Sequence, residues 1–198
     1  MEWDNLFDDL EGQLAAEWES ERAALDAESE RLRISKLTLH DRLRAMAHAD
    51  SRVQLELHSG ERWDARLRVI GADWVGVSGG GDPRLRIVPI SALSSVGVDH
   101  GVMLSSLTAS DEQPGLRERM SFGFVLRDVA RRRTPVTIGR RSGDPLQGSI
   151  DRAGADHLDL ALHDATEPRR TRTVRGFRSI PFDALVWVRL ESASDPLS

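Results

Sequence analysis

The 198 residues contain no cysteine and no tyrosine, a single lysine, Lys36, and a single asparagine, Asn5. Without cysteine the chain has no disulfide, no thiol nucleophile and no thiolate metal ligand. Aromatic residues are 5% of the chain, all Trp or Phe, so any stacking surface has to be built from few rings. No run reaches the roughly 18 apolar residues that a membrane-spanning helix needs, and no basic-then-apolar leader opens the chain. Those absences lead to the expectation of a cytoplasmic protein with no membrane partner. Basic residues are almost all Arg, which reads first as the bias of a high-GC genome.

Catalytic and metal signatures are equally scarce. Six His stand at 40, 48, 58, 100, 157 and 163, and no pair has the spacing of a zinc ligand set. They read as surface or helix residues. No Ser sits in a Gly-x-Ser-x-Gly elbow, and there is no Walker or dinucleotide fingerprint. The run Ser78-Gly-Gly-Gly-Asp-Pro83 lies between two expected strands rather than before a helix, so it reads as a hairpin tip and not as a phosphate loop. The expectation is a protein that is not an enzyme and holds no cofactor and no metal.

What the chain does contain is the same unit twice. Val53, Ser59, Gly60, Gly71, Ala72 and Asp73 fall opposite Val136, Ser142, Gly143, Gly154, Ala155 and Asp156 at a constant offset of 83. Farther on, Pro89, Ala92, Leu93 and Val96 fall opposite Pro181, Ala184, Leu185 and Val188 at an offset of 92. Nine extra residues therefore enter the second copy between its third and fourth strands. A repeat of this length implies duplication of one compact module. Each copy reads as a short helix, with Leu39, Leu43, Met46 and Ala47 or Phe122, Leu126, Val129 and Ala130 on one face, followed by five strands. In the first strand Val53, Leu55 and Leu57 alternate with Gln54, Glu56 and His58, the period of a half-buried strand.

Before the repeat, Trp3, Phe7, Leu10, Leu14 and Trp18 recur every three or four residues, with Leu6 beside them and Leu25 and Leu32 farther along. That spacing predicts an amphipathic helix of some 30 residues. Residues 1–33 carry eleven acidic and three basic side chains, net −8, which leaves about +3 for the remainder. Such a stripe either docks on its own barrels, associates with another copy, or plugs into the groove of another protein. The expected organisation is an acidic helical head over 1–36, a first barrel over 37–98, a linker over 99–119, a second barrel over 120–191 and a disordered tail over 192–198. The fold class is α+β, mainly β.

A short helix, five strands, a Gly between the first two strands and an Asp opening the third together resemble the Sm-like fold of the LSm and Hfq proteins. The residues that carry the resemblance are Val53-Gln-Leu-Glu-Leu-His-Ser-Gly60, Gly71-Ala-Asp73-Trp-Val-Gly-Val77 and Ile87-Val-Pro-Ile-Ser-Ala-Leu-Ser-Ser-Val96, with their counterparts in the second copy. Other small SH3-like barrels share that apolar skeleton. The stretch from Trp3 to Leu10 is also similar to the start of a conserved actinobacterial family, a likeness that implies no activity. The Sm-like resemblance implies five-stranded barrels, RNA as a partner, and assembly through barrel edge strands into homo-oligomers. Its RNA pocket does not carry over. The family's pocket Asn has no counterpart, and the basic turn before the fifth strand is replaced by Val88-Pro-Ile-Ser91 and Ile180-Pro-Phe-Asp183.

Two surfaces remain as candidates for RNA or an acidic protein partner and for an interface. Residues 119–178 hold thirteen Arg against seven Asp and Glu. Arg131, Arg132 and Arg133 end the second copy's helix, Arg140 and Arg141 flank its first turn, and Arg169, Arg170, Arg172, Arg175 and Arg178 fill its inserted hairpin. Such a cluster could contact phosphates without reading sequence. Trp187, in the last strand, falls where the first copy has Ser95 and should leave the face on which Val188 packs, which marks an inter-barrel or inter-subunit contact. The reading that results is a non-enzymatic adaptor or scaffold that makes protein contacts through its head and barrel edges. The alternative is an Sm-like nucleic-acid binder using the Arg-rich surface.

Overall fold

A stretch of 35 residues with no proline and one glycine, rich in Glu, Ala, Leu and Arg, has the composition of a long helix. Glu2–Lys36 forms it (α1). The computed structural model describes residues 2–79, 81–108, 113, 115–164 and 174–191, with side chains from residue 11 onward. The chain divides into two units, residues 1–38 with α1 and residues 39–198. The expected 192–198 tail lies outside the described residues. No described helix is long and apolar enough to cross a membrane.

The second unit follows the repeat element by element. Its first copy contains α2 (Leu39–His48), β1 (Arg52–Leu57), β2 (Arg62–Ile70), β3 (Trp74–Gly79), β4 (Asp82–Pro89), a 3-10 turn at Ile90–Ala92 and β5 (Leu93–Gly97). Its second copy contains α4 (Phe122–Arg132), β6 (Pro135–Arg140), β7 (Leu146–Ala153), β8 (His157–Leu162), β9 (Gly176–Pro181), a 3-10 turn at Phe182–Ala184 and β10 (Leu185–Leu190). Both helices end in a left-handed residue at the same repeat position, Asp50 (φ 47°) and Arg133 (φ 54°). The Gly-rich tip is tighter than the sequence suggests: β3 runs on to Gly79, which pairs with Asp82.

The expected linker is not featureless. His100–Ser105 forms a short helix (α3), capped by the Asp99 side chain, which accepts from the Val102 amide at 2.9 Å. Six residues are too few to show a helical period, so the cap was the only available signal. Arg117–Arg119 adds a 3-10 turn. Glu118 forms an ion pair with Arg44 of α2, Nε to Oε2 3.1 Å, and its Oε1 lies 3.2 Å from His48 Nε2.

The two copies do not close into separate barrels. All ten strands lie in one open antiparallel sheet, in the order β5-β1-β2-β3-β4-β10-β6-β7-β8-β9. Within each copy the fifth strand returns to the first, β5 to β1 and β10 to β6. The fourth strand of the first copy, instead of meeting its own fifth, pairs with β10, with Val188 opposite Ile87 and Arg189 opposite Arg86. An edge strand left alone exposes a row of unpaired amides and carbonyls. The neighbouring copy satisfies that edge, which leaves β5 and β9 as the outer strands.

The core explains why the seam is stable. Two buried clusters form, each under the helix of one copy, and they exchange side chains across the seam. Trp74 and Ile87 of the first copy are buried in the cluster of α4, while Val186 and Trp187 of the second are buried in the cluster of α2. Burying an aliphatic side chain contributes roughly 1.5–3 kcal/mol, so neither copy keeps its full core without the other.

Candidate interaction surfaces

The seam is where the chemically distinctive side chains converge. The Trp187 ring meets Trp63 edge-on, with centroids 5.8 Å apart, and its Nε1–H donates to Glu61 Oε1 at 3.0 Å. The Arg86 guanidinium lies over the Trp63 ring, 4.8 Å from its centroid. Trp187 and Val188 enter opposite clusters, so Trp187 makes its contacts with the first copy of the same chain. That is an inter-repeat contact, and the ring is not left for a second subunit.

Beside the rings runs a charged ladder. Arg84 donates to both oxygens of Asp82, at 2.8 and 2.9 Å, and also to Glu191 at the end of β10. Arg189 donates to Glu191 Oε1 at 2.8 Å and lies 3.6 Å from Asp82. The hydrogen bond from Arg84 is the main cause that holds the Asp82 carboxyl down at about 2. Burial pushes Glu191 up, but hydrogen bonds from Thr137 and Arg189 outweigh it and leave the carboxyl below its usual range. A third cross-seam set fixes α4. Asp73 Oδ1 accepts from the Phe122 amide at 2.6 Å, and the Met120 carbonyl accepts from the Ala72 amide and the Trp74 indole at 3.0 and 2.9 Å.

The Arg set of the second copy is partly engaged in local bonds. Arg131 and Arg132 both bind Asp128, at 2.6 and 2.7 Å, and Arg131 is the leading cause that lowers the Asp128 pKa. Arg133 is exposed as the left-handed cap of α4. Arg140 donates to the Asp144 carbonyl at 2.8 Å and Arg141 to the Asp183 carbonyl at 2.6 Å. Arg175 and Arg178 are exposed at the outer strand β9. Arg169, Arg170 and Arg172 lie outside the described residues.

On α1, Leu14 and Leu32 are each 54% exposed, Trp18 72% and Leu25 71%. Spacings of four and seven residues keep them on one stripe. Trp3, Leu6, Phe7 and Leu10 precede residue 11, where the described side chains begin.

Two features escaped the sequence. Ser149 and His163 are both fully buried, with Oγ and Nε2 2.5 Å apart, and His163 Nδ1 lies 2.8 Å from the Asp164 carbonyl. His163 is therefore neither a surface nor a helix residue. With Nδ1 donating to that carbonyl, Nε2 accepts from the Ser149 hydroxyl. This pair satisfies its own polar atoms, and full burial denies it a substrate. The other is an open groove of about 990 Å3 on the first copy, lined among others by Arg52, Arg66, Arg68, Asp64, Asp82 and Asp99. Asp50 already binds Arg66 and Arg68, at 2.9 and 3.2 Å, and the alternation of signs gives the groove no single charge. Among the described residues no group of His, Asp or Glu is placed to hold a metal.

No family model, curated protein or solved structure matches this chain.

Proposed function

We propose that the protein is a non-enzymatic adaptor that offers α1 to a basic protein partner and uses two Sm-like halves, fused at the seam, as its folded base. The observation that carries this reading is the exposed stripe Leu14, Trp18, Leu25 and Leu32 on a helix that forms a unit of its own. Large apolar side chains in water gain roughly 1.5–3 kcal/mol each when a partner covers them. The net charge of −8 over residues 1–33 favours a basic partner and speeds its approach. Self-pairing of the helix would set like charges against one another. Support for Sm-like halves comes from the order within each copy, a helix and then five antiparallel strands with the fifth returning to the first.

The test uses the full chain and its Leu14→Ala, Trp18→Ala, Leu25→Ala variant as parallel baits. The protein retained is then titrated against both at about 50 and 200 mM salt, a range over which exposed charges become more screened. Retention that is lost in the variant and weakened by salt supports the reading. A partner held equally by both baits overturns it.

A further inference from the structure

The seam is asymmetric in a way that the repeat makes measurable. The buried residues that cross it have counterparts toward the outer edges, found by the same offsets of 83 and 92. Trp74 and Ile87, fully buried at the seam, correspond to His157 and Ser179 on the β9 side, and both of these are exposed. Val186 and Trp187, buried from the other direction, correspond to Ser94 and Ser95 on β5, again exposed. The four buried apolar side chains that the copies exchange are replaced by polar ones where a second chain would have to meet the sheet, whereas the partly buried Leu85, which packs against the cluster of α4, corresponds to Phe177, 57% exposed on β9.

The backbone around these positions follows the same division. Trp187 lies over Gly139, its register partner, where an added Cβ would come within 2.1 Å of the ring. The counterpart of Gly139 is Glu56, the register partner of Ser95, and Ser95 Oγ donates to the Glu56 carboxylate at 3.0 Å. The site that receives a Trp ring inside the chain is thus occupied by a hydrogen-bonded Ser–Glu pair at the outer edge. Ser179 is likewise engaged, donating to Asp159 at 2.5 Å. Sheets block edge-to-edge growth with polar and charged side chains at their outer strands, and repeat arrays end in units with a polar outer face.

We infer that the chain is a terminated pair: the seam geometry is used once, inside the molecule, and Ser94, Ser95, Glu56, His157 and Ser179 keep a second copy from adding to either end of the sheet. This goes beyond the adaptor reading and opposes the expectation of homo-oligomers built through edge strands.

Two experiments test it on the full chain. Val96 and Ser179 are the outer counterparts of the register partners Val188 and Ile87, so a second copy added with seam geometry would set them side by side. Directly opposed strand residues lie within disulfide reach, and the chain has no other cysteine. Under oxidation the Val96→Cys, Ser179→Cys double variant should cross-link no faster than either single variant and should run at 22.0 kDa on a non-reducing gel. A ladder specific to the double variant would overturn the inference. In the converse experiment the seam residues are transplanted to the edges by His157→Trp, Ser179→Ile, Ser94→Val, Ser95→Trp and Glu56→Gly. The grafted protein should sediment as multiples of the chain at micromolar concentration, and the wild type should show no association through β5 and β9. A folded graft that gains no mass also counts against the inference. If the graft does not fold, the cross-linking result decides.

Discussion

Trp187 occupies the space that a side chain at Gly139 would need. The two are register partners on β10 and β6, and a Cβ at Gly139 would sit 2.1 Å from the indole. Because the ring is also bonded to Glu61 and packed on Trp63, it has nowhere to retreat. Gly139→Ala should cost about 1–3 kcal/mol, the range for overpacking a filled core, read as a fall in the urea midpoint. Gly12→Ala is the control. Nothing lies within 4 Å of Gly12 in α1, and an alanine there should not lower stability. Equal loss at both glycines would mean that the Trp187 contact is not the cause.

Removing the ring tests the seam from the other side. Trp187 is 6% exposed and belongs to the first copy's core although the second copy carries it. Trp187→Ala should destabilise the second unit by about 3–5 kcal/mol. In a double-mutant cycle with Trp63→Ala, a coupling of about 0.5–1.5 kcal/mol is expected for the edge-on pair. Additive losses would show that the two rings are independent and that Trp187 only fills volume.

How much of this was legible beforehand differs by feature. The repeat was legible because its punctuation is local: Gly60 and Gly143 sit at positive φ in matching turns, and Val53, Leu55 and Leu57 alternate as half-buried strands do. Trp187 could be read as an interface residue because a large ring replaced Ser95 on the face away from Val188. The open sheet could not be read. Whether β4 meets β5 or β10 depends on long-range pairing, and Ile87, which faces Val188 across the seam, is an ordinary strand residue in sequence. His163 and Ser149 were missed for a similar reason, since a His in a list of six carries no signal until strands β7 and β8 bring it beside a hydroxyl 14 residues away. The apolar stripe of α1 at Leu14, Trp18, Leu25 and Leu32 was visible, because helical spacing alone creates it.

The charged ladder at the seam makes acid a specific stress. The Asp82 pKa falls from 3.8 to about 2 on folding, with Arg84 the first cause. A folded-state pKa below the unfolded one gives stability that is present above about pH 4 and is lost as the pH falls toward 2. Glu191, also lowered, adds loss in the same direction as the pH falls below its ordinary range. Asp82→Asn should therefore lower stability at pH 7 and flatten the decline of the urea midpoint between pH 5 and pH 2.5. A variant whose decline parallels that of the wild type would place the acid-sensitive carboxylates elsewhere.

The stripe on α1 separates binding from folding. Trp18 and Leu25 are more than 70% exposed, and α1 is a unit distinct from residues 39–198. Exposed substitutions away from caps and cores usually change stability by no more than about 0.5 kcal/mol. The helix itself should tolerate alanine, the best helix former. Trp18→Ala with Leu25→Ala should thus leave the urea midpoint and helical circular dichroism of the whole protein unchanged while abolishing capture of a basic partner. Arg131 and Arg132, held by Asp128 on α4, provide the contrast: changing both to Gln should leave that capture intact. A large stability loss in the Trp18, Leu25 variant would mean that the stripe serves the protein's own folding, and the adaptor reading would lose its support.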